Sequence, residues 1–265
     1  MCESALGKKS KNSPQEISIG QDCNHITDVV HEISHALGVI HEMNRPDRDK
    51  YITIIDKNVN PSISSSFESR FSNETLTYNL KYDYGSAMHY DRIAGSTSGK
   101  DIVTVPKDIH YLKTIGQRSE IGFNDIKQLN LHYCKEKCNN TLPCKVKGYP
   151  NPHKCTECKC PRFYTGRYCD RLLPSDSTCG KRKLIANIQP ETFTMEGKKS
   201  CYIQILAPVG FKVRLEITEA LFEESFVCEP GTGLEVKYYK DKSVSGAVFC
   251  GNVTNNVIFS EGQSV

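Results

Sequence analysis

The 265-residue sequence predicts a multidomain chain with three parts: an α+β portion over residues 1–137, a small disulfide-rich module over 138–170, and an all-β sandwich over 178–265. Three observations predict it. His31-Glu32-Ile33-Ser34-His35-Ala36-Leu37-Gly38-Val39-Ile40-His41 places histidines at helical spacing and then breaks that spacing at a glycine. Ten of the thirteen cysteines fall after residue 137. From Phe211 onward the apolar residues switch to a period of two, the mark of half-buried antiparallel strands.

The elements follow in chain order. Cys2 to Gly7 and Gln15 to Gly20 read as two strands around a Lys/Ser/Asn/Pro turn. Thr27 or Asp28 is positioned to cap the next helix, which Gly38 ends. On that helix His31 and His35 lie four apart, so both rings project from one face. They can share one Zn²⁺ at about 2.0–2.1 Å. Glu32 points aside from the pair and is placed to handle a proton of the attacking water. His41 would stand about 15 Å up the axis from His31 if the helix continued. The chain must therefore turn sharply, and Gly38 tolerates the left-handed backbone that the turn needs. A bare H-E-x-x-H also fits an ordinary surface helix; Gly38 and His41 at these offsets make that reading poor.

Downstream, Tyr84-Gly85-Ser86-Ala87-Met88-His89-Tyr90 supplies a methionine in a tight turn with a tyrosine two residues later. The histidine string followed by such a turn is the metzincin pattern. With the tail Glu42-Met43-Asn44-Arg45-Pro46-Asp47-Arg48-Asp49, it resembles the astacin family of secreted zinc endopeptidases. Met43 stands where the family has Gln or His. The resemblance implies Zn²⁺ on His31, His35 and His41, Met88 as an apolar floor beneath the metal, and Tyr90 as a switchable fifth ligand that swings away to stabilise the oxyanion. It implies that Glu42 receives the N-terminal ammonium of the matured enzyme. Tyr90 also fits a plain core aromatic. Arg45, Asp47, Arg48 and Asp49 read as a charge network bracing the turn after His41.

Beyond the turn, much of 91–120 reads as irregular, with a short strand at Ile102-Val103-Thr104-Val105. A helix from Asn124 carries Ile126, Leu129 and Tyr133 on one stripe, which reads as core packing without chemistry. Residues 138–170 are too few for an apolar core and need disulfides. In the last part Phe211, Val213, Leu215 and Ile217 alternate with polar residues, as do Leu234, Val236 and Tyr238.

Thirteen cysteines indicate an oxidising compartment, and sequons at Asn73, Asn139 and Asn252 agree. The six cysteines of 138–170 permit fifteen connectivities. The run Cys158-x-Cys160-Pro161 to Gly166-x-x-Cys169 resembles the C-terminal half of an EGF-like module, which implies Cys138–Cys155, Cys144–Cys158 and Cys160–Cys169. Zinc on the C-x-x-C-x-C run is the rival, disfavoured because an oxidising context leaves few free thiolates. Cys179, Cys201, Cys228 and Cys250 read as two local loops, Cys179–Cys201 and Cys228–Cys250. With Ala207-Pro208-x-Gly210 they resemble a CUB domain, C-terminally incomplete at Val265. Glu229-Pro230-Gly231 after Cys228 makes a calcium site there doubtful. The astacin pattern also implies Cys2–Cys23, and it leaves Cys134 unpaired. By the same pattern the chain is N-terminally truncated: the first strands, the first helix and the partner of Cys134 precede Met1, as do a signal peptide and a pro-segment. The order protease, EGF-like, CUB resembles nematode astacins.

Net charge is +3 and the pI about 8.1, too balanced to suggest nucleic acid. No apolar run of about 18 residues suggests a membrane span, and residues 1–9 hold no apolar core of a secretory signal. The expected function is Zn²⁺-dependent hydrolysis of internal peptide bonds in extracellular proteins, with matrix or cuticle proteins suggested by the resemblance and Glu32 and Tyr90 as catalytic residues. The alternative is a non-catalytic extracellular binding protein acting through its EGF-like and CUB-like parts. A purely structural zinc site fails on Glu32, for which it has no use.

Overall fold

The computed structural model describes residues 2–21, 23, 25–139 and 141–265. Its strands and helices are β1 (Cys2–Ser4), β2 (Ile17–Ile19), α1 (Ile26–Ala36), β3 (Ile52–Ile54), β4 (Thr104–Pro106), α2 (Phe123–Tyr133), β5 (Tyr149–Asn151), β6 (Lys154–Lys159), β7 (Tyr164–Thr165), β8 (Arg171–Leu172), β9 (Lys183–Ile185), β10 (Gln204–Leu206), β11 (Arg214–Leu221), β12 (Leu234–Val236), β13 (Ala247–Phe249) and β14 (Asn252–Phe259). They fall into two compact units. One joins residues 1–133 with 222–235 and 247–251; the other joins 134–221 with 236–246 and 252–265. Residues 222–235 and 247–251, read from sequence as part of the last domain, thus cluster with the first.

In the first unit β1 and β2 form the expected antiparallel hairpin, with Cys2 opposite Ile19 and a Cys2–Cys23 disulfide at its base. The hairpin lies on α1, where Gly7 N–H donates to the His35 carbonyl at 2.8 Å. The cap of α1 differs from expectation. His25 is the N-cap, and Asp28 lies three residues into the helix, accepting the His25 N–H at 3.2 Å. Thr27 is buried and donates its hydroxyl to the Arg118 carbonyl. At the other end Val39 N–H reaches back to Ser34 at 2.9 Å and Gly38 N–H to His35 at 2.9 Å. That pair of bonds is a Schellman closure, and it needs the left-handed backbone of Gly38 at φ +91°.

β3 pairs antiparallel with β4, two residues later than the strand expected at 102–105. The apolar centre includes Val59, Phe67 and Val103, with Ile54 and Tyr90 packed on them. A tyrosine cluster lies beside it, Tyr51 stacked on Tyr82 at 4.7 Å and Tyr84 on Tyr111 at 4.6 Å. Helix α2 departs from the stripe reading: Ile126 and Tyr133 are exposed, while Asn124 and Asp125 are buried.

The second unit is built of two-stranded ladders. Three disulfides, Cys138–Cys155, Cys144–Cys158 and Cys160–Cys169, hold the pairs β5/β6 and β7/β8. Cys179–Cys201 follows, with β9 and β10 running parallel where antiparallel strands were expected. β11 pairs antiparallel with β14, burying Val213, Ile217 and Ile258. Phe211, expected to begin that alternation, lies outside the strand and is 65% exposed. Elsewhere β12 pairs with β13, and both cysteines of the Cys228–Cys250 disulfide belong to the first unit. Among the described residues Cys134 is the free cysteine.

Candidate metal centre

The Schellman turn reverses the chain, and His41 returns to face His31 and His35. The three Nε2 atoms lie 3.0 Å (His31 to His35), 3.0 Å (His35 to His41) and 3.2 Å (His31 to His41) apart. Two of the rings use their other nitrogen on a backbone carbonyl. His31 Nδ1–H donates to the Ala87 carbonyl at 2.8 Å and His35 Nδ1–H to the Val39 carbonyl at 2.7 Å. Asn44, whose amide donates to the Ser66 and Glu68 carbonyls at 2.9 and 2.8 Å, lies near His41 and weakly favours its charged form. The carbonyl bonds fix the tautomers of His31 and His35 with bare Nε2 lone pairs, and the His41 Nε2 converges on both.

Burial favours the neutral rings. His31 is lowered to about 4 by burial and then by His35; His41 is lowered to about 2 by burial and then by the other two rings. His35 shifts the same way. Ligands about 2.0–2.1 Å from a tetrahedral Zn²⁺ stand about 3.3–3.4 Å apart, so the observed nitrogens fit that ion closely. Among the described residues this is the one group of three or more His, Cys, Asp or Glu gathered to hold a metal.

Glu32 sits one residue along α1 and is buried. Burial raises its carboxyl above the usual range, while Arg118 and the Ser4 N–H of β1 lower it. Tyr90 packs its ring on His41 at 4.5 Å and on Phe67 at 5.8 Å. It is therefore both a core aromatic and a neighbour of the site. Met88 is 2% exposed, and its carbonyl accepts the Glu42 N–H at 2.9 Å, which joins the methionine turn to the chain leaving His41.

The charge network after His41 is present. Arg45 pairs with Glu42 at 3.1 Å and with Asp47 at 2.9 Å, and Arg48 pairs with Asp49 at 2.6 Å. Burial works against the Arg45 charge, but Glu42 and Asp47 more than offset it and hold Arg45 firmly cationic. Glu42 also accepts the Asp83 N–H at 2.8 Å. It lines a small cavity with Asp83, Asp125 and Asn124, whose buried amide has no hydrogen-bond partner among the described residues.

Sequence reasoning missed three residues here. Asp125 of α2, a helix read as packing alone, accepts from Ser86 Oγ at 2.6 Å, Ala87 N at 2.9 Å and Gly122 N at 3.0 Å. It pins the methionine turn from beneath. Arg118 donates to the Ala87 carbonyl at 2.9 Å and lies 3.2 Å from His31 Nδ1. His89, fully buried, accepts the Tyr82 hydroxyl at 2.7 Å and donates to the Tyr90 carbonyl at 2.7 Å. Only the S-x-M-H-Y spacing hinted at His89. Apart from the Gly122 amide three positions before Asp125, the partners of Asp125 and Arg118 in this site lie 31 to 87 positions away, which no local pattern reports.

Comparison with known proteins agrees with this geometry. Residues 1–134 match the family described as Astacin, a peptidase family. Zinc metalloproteinase nas-34 of Caenorhabditis elegans is 39% identical over 249 residues, covering 94% of this chain and 41% of that protein. Zinc metalloproteinase dpy-31 of Brugia malayi is 35% identical over 224 residues, covering 81% of this chain and 37% of that protein. The chain thus spans about two fifths of the length of these curated relatives. A solved structure of High choriolytic enzyme 1, a hatching enzyme zinc-protease from Oryzias latipes, matches at 36% identity and a TM-score of 0.46 over 50% of this chain and 64% of that one. The family match spans all three histidines, Glu32, Met88 and Tyr90, and the chain belongs to the astacin family of peptidases.

Proposed function

We propose that this chain carries the metal centre of a secreted zinc endopeptidase that cleaves internal peptide bonds of extracellular proteins, matrix or cuticle proteins among them. The observation that carries the reading is the convergence of three Nε2 atoms within 3.2 Å, with His31 and His35 each locked by a backbone carbonyl. His31, His35 and His41 would hold Zn²⁺. Bound there, the ion supplies Lewis acidity that lowers the pKa of water from 15.7 toward about 7.

The remaining work falls to side chains. Glu32 takes the proton of the attacking water and returns it to the leaving amine. Tyr90 donates from its hydroxyl to the developing oxyanion, a contribution of about 3–4 kcal/mol in other proteases. Met88 closes the floor and keeps bulk water from the histidines. Glu42, at its cavity beside Asp125, is the acceptor for the ammonium of a matured N-terminus. Residues 138–170 serve as an EGF-like module, supported by their three disulfides. Residues 178–265 serve as a CUB-like part that engages substrate proteins, supported by the Cys179–Cys201 disulfide and the β11/β14 ladder. No helix among the described residues is long and apolar enough to cross a membrane.

The test is Glu32→Gln. Turnover of casein should fall about 10²–10⁴-fold, the usual worth of general acid–base catalysis, while about one zinc per chain is retained. Loss of zinc from that variant, or unchanged turnover, would overturn the role given to Glu32. Retained zinc in a wild-type chain that cleaves nothing would favour the non-catalytic binding reading.

A further inference from the structure

Residues 110–120 form a loop with an unusual set of supports. Gln117, fully buried, donates from its amide to the Gly85 carbonyl at 2.8 Å, at the start of the methionine turn. Its own amide oxygen accepts from the Ser119 and Glu120 N–H groups, both at 3.1 Å. The Arg118 carbonyl takes the Thr27 hydroxyl of α1, and the Arg118 guanidinium reaches the Ala87 carbonyl that also orients His31. Gly116, at φ +88°, leaves room for Asp91, whose backbone a Cβ at that position would meet at 2.5 Å. On its inner side, therefore, the loop touches both the metal-site helix and the methionine turn.

Its outer side is held by residues more than 100 positions later. Cys228 N–H donates to the Lys113 carbonyl at 2.7 Å, and Val248 N–H donates to Thr114 Oγ1 at 2.9 Å. Lys113 pairs with Glu224. Nearby, Arg92 donates to the Phe226 carbonyl at 3.0 Å and stacks over the Phe226 ring at 4.3 Å. The most specific contact is Glu229, whose carboxylate accepts the backbone N–H of Arg118 at 3.2 Å and of Ser119 at 3.1 Å. Two successive amides turned onto one carboxylate define the local backbone direction, and that direction aims the Arg118 side chain. The Cys228–Cys250 disulfide closes the segment that carries Glu229, and Val248 packs with both of those cysteines.

We infer that the segment around the Cys228–Cys250 disulfide is a positioning brace for the metal centre, with Glu229 holding the 118–119 backbone so that Arg118 keeps its place on the Ala87 carbonyl beside His31. Glu229 is outside the cluster of three histidines and bonds the 118–119 backbone. It acts through Arg118, and its charge-assisted bonds to two amides are stronger than neutral ones. The inference rests on the proposed protease reading for its effect on turnover, but not for its effect on the loop.

The experiment uses the full chain and compares Glu229→Ala, Glu229→Gln, Arg118→Ala and the Glu229→Ala/Arg118→Ala pair. In metal-free protein, amide exchange across 113–120 should rise at least about tenfold in Glu229→Ala and by clearly less in Glu229→Gln, whose neutral amide oxygen still accepts. Loaded with zinc, Glu229→Ala should release the ion to a chelator faster and lose about 3–10-fold in kcat/KM, carried by kcat, somewhat less than the 10–100-fold typical of a direct partner to a metal ligand. The double variant should match Arg118→Ala, because both changes break one chain of contacts. Unchanged exchange in Glu229→Ala would overturn the brace outright. So would raised exchange combined with wild-type zinc release, or with effects that add to those of Arg118→Ala. A wild-type chain without turnover would count against the protease reading alone, since exchange and zinc release still decide the inference.

Discussion

The turn around the histidines and the module at 138–170 solve the same problem in opposite ways. Both must hold irregular backbone without long strands or helices. Around the site the interior is largely polar: His31, Glu32, Ser34, His35, Glu42, Asn44, Arg45, Asp83, Ser86 and His89 are all buried. Non-covalent ties secure it, each side chain serving a backbone group elsewhere, as Asp125 does for Ala87 and Gly122. In 138–170 the buried apolar side chains among the described residues are Tyr149, Cys158, Pro161 and Cys169, and three disulfides do the holding. A site that must place three nitrogens within a fraction of an ångström needs many directional bonds. A module that only has to keep its shape can rely on cross-links acting mainly on the unfolded chain.

The largest break in this contrast should come from His41→Ala. It removes one of three converging nitrogens and leaves His31 and His35 to hold the ion with two. Loss of an outer partner to a ligand costs about 10–100-fold in metal affinity, so loss of the ligand itself should exceed that. Zinc content after dialysis against a chelator measures it, with the 138–170 module unaffected by amide exchange. Unchanged zinc would remove His41 from the ligand set.

Asp125→Ala should come next. It leaves the Ala87 and Gly122 amides buried without an acceptor, each worth about 1–3 kcal/mol, for a combined loss of about 3–5 kcal/mol. Urea unfolding followed by a probe near the site reads it. Burial also pushes the Asp125 carboxyl up to about 6, against the pull of its three donors. A carboxyl raised in the folded state binds its proton more readily there than when unfolded. The proton-linked part of its contribution is thus present below about pH 4 and is lost as pH rises through about 6, while the three accepted hydrogen bonds remain. The variant should flatten that part of the stability curve as well as lower it.

These residues also mark what the sequence makes legible. His31, His35 and His41 stand out because metal chemistry dictates residue type and spacing together, and both survive in a one-dimensional reading; Met88 and Tyr90 stand out through the family resemblance of their turn. Asp125 did not stand out: its role exists only once α2 lies beneath the methionine turn. The apolar stripe on the same helix misled, since Ile126 and Tyr133 face outward here. Phe211 failed for a related reason, because alternation shows that a strand is present but not where it starts. Glu229 is the extreme case, with partners 110 and 111 positions away.

The smallest effect should follow removal of Cys144 and Cys158 as a pair, by Cys144→Ser with Cys158→Ser. Their loop of 14 residues predicts a loss of about 3 kcal/mol in the chain-entropy account. The loss should stay local, because Cys138–Cys155 and Cys160–Cys169 still flank the module and the zinc site shares none of these ties. Amide exchange should therefore rise across 144–158 and stay at wild-type levels across 31–45, with zinc retention unchanged. Cys158 is buried, so a hydroxyl in its place has to find a partner or admit water. That adds to the local cost without carrying it to the histidines. Loss of zinc on cutting this disulfide would show that the two ways of holding irregular backbone are energetically one, and the contrast between them would fail.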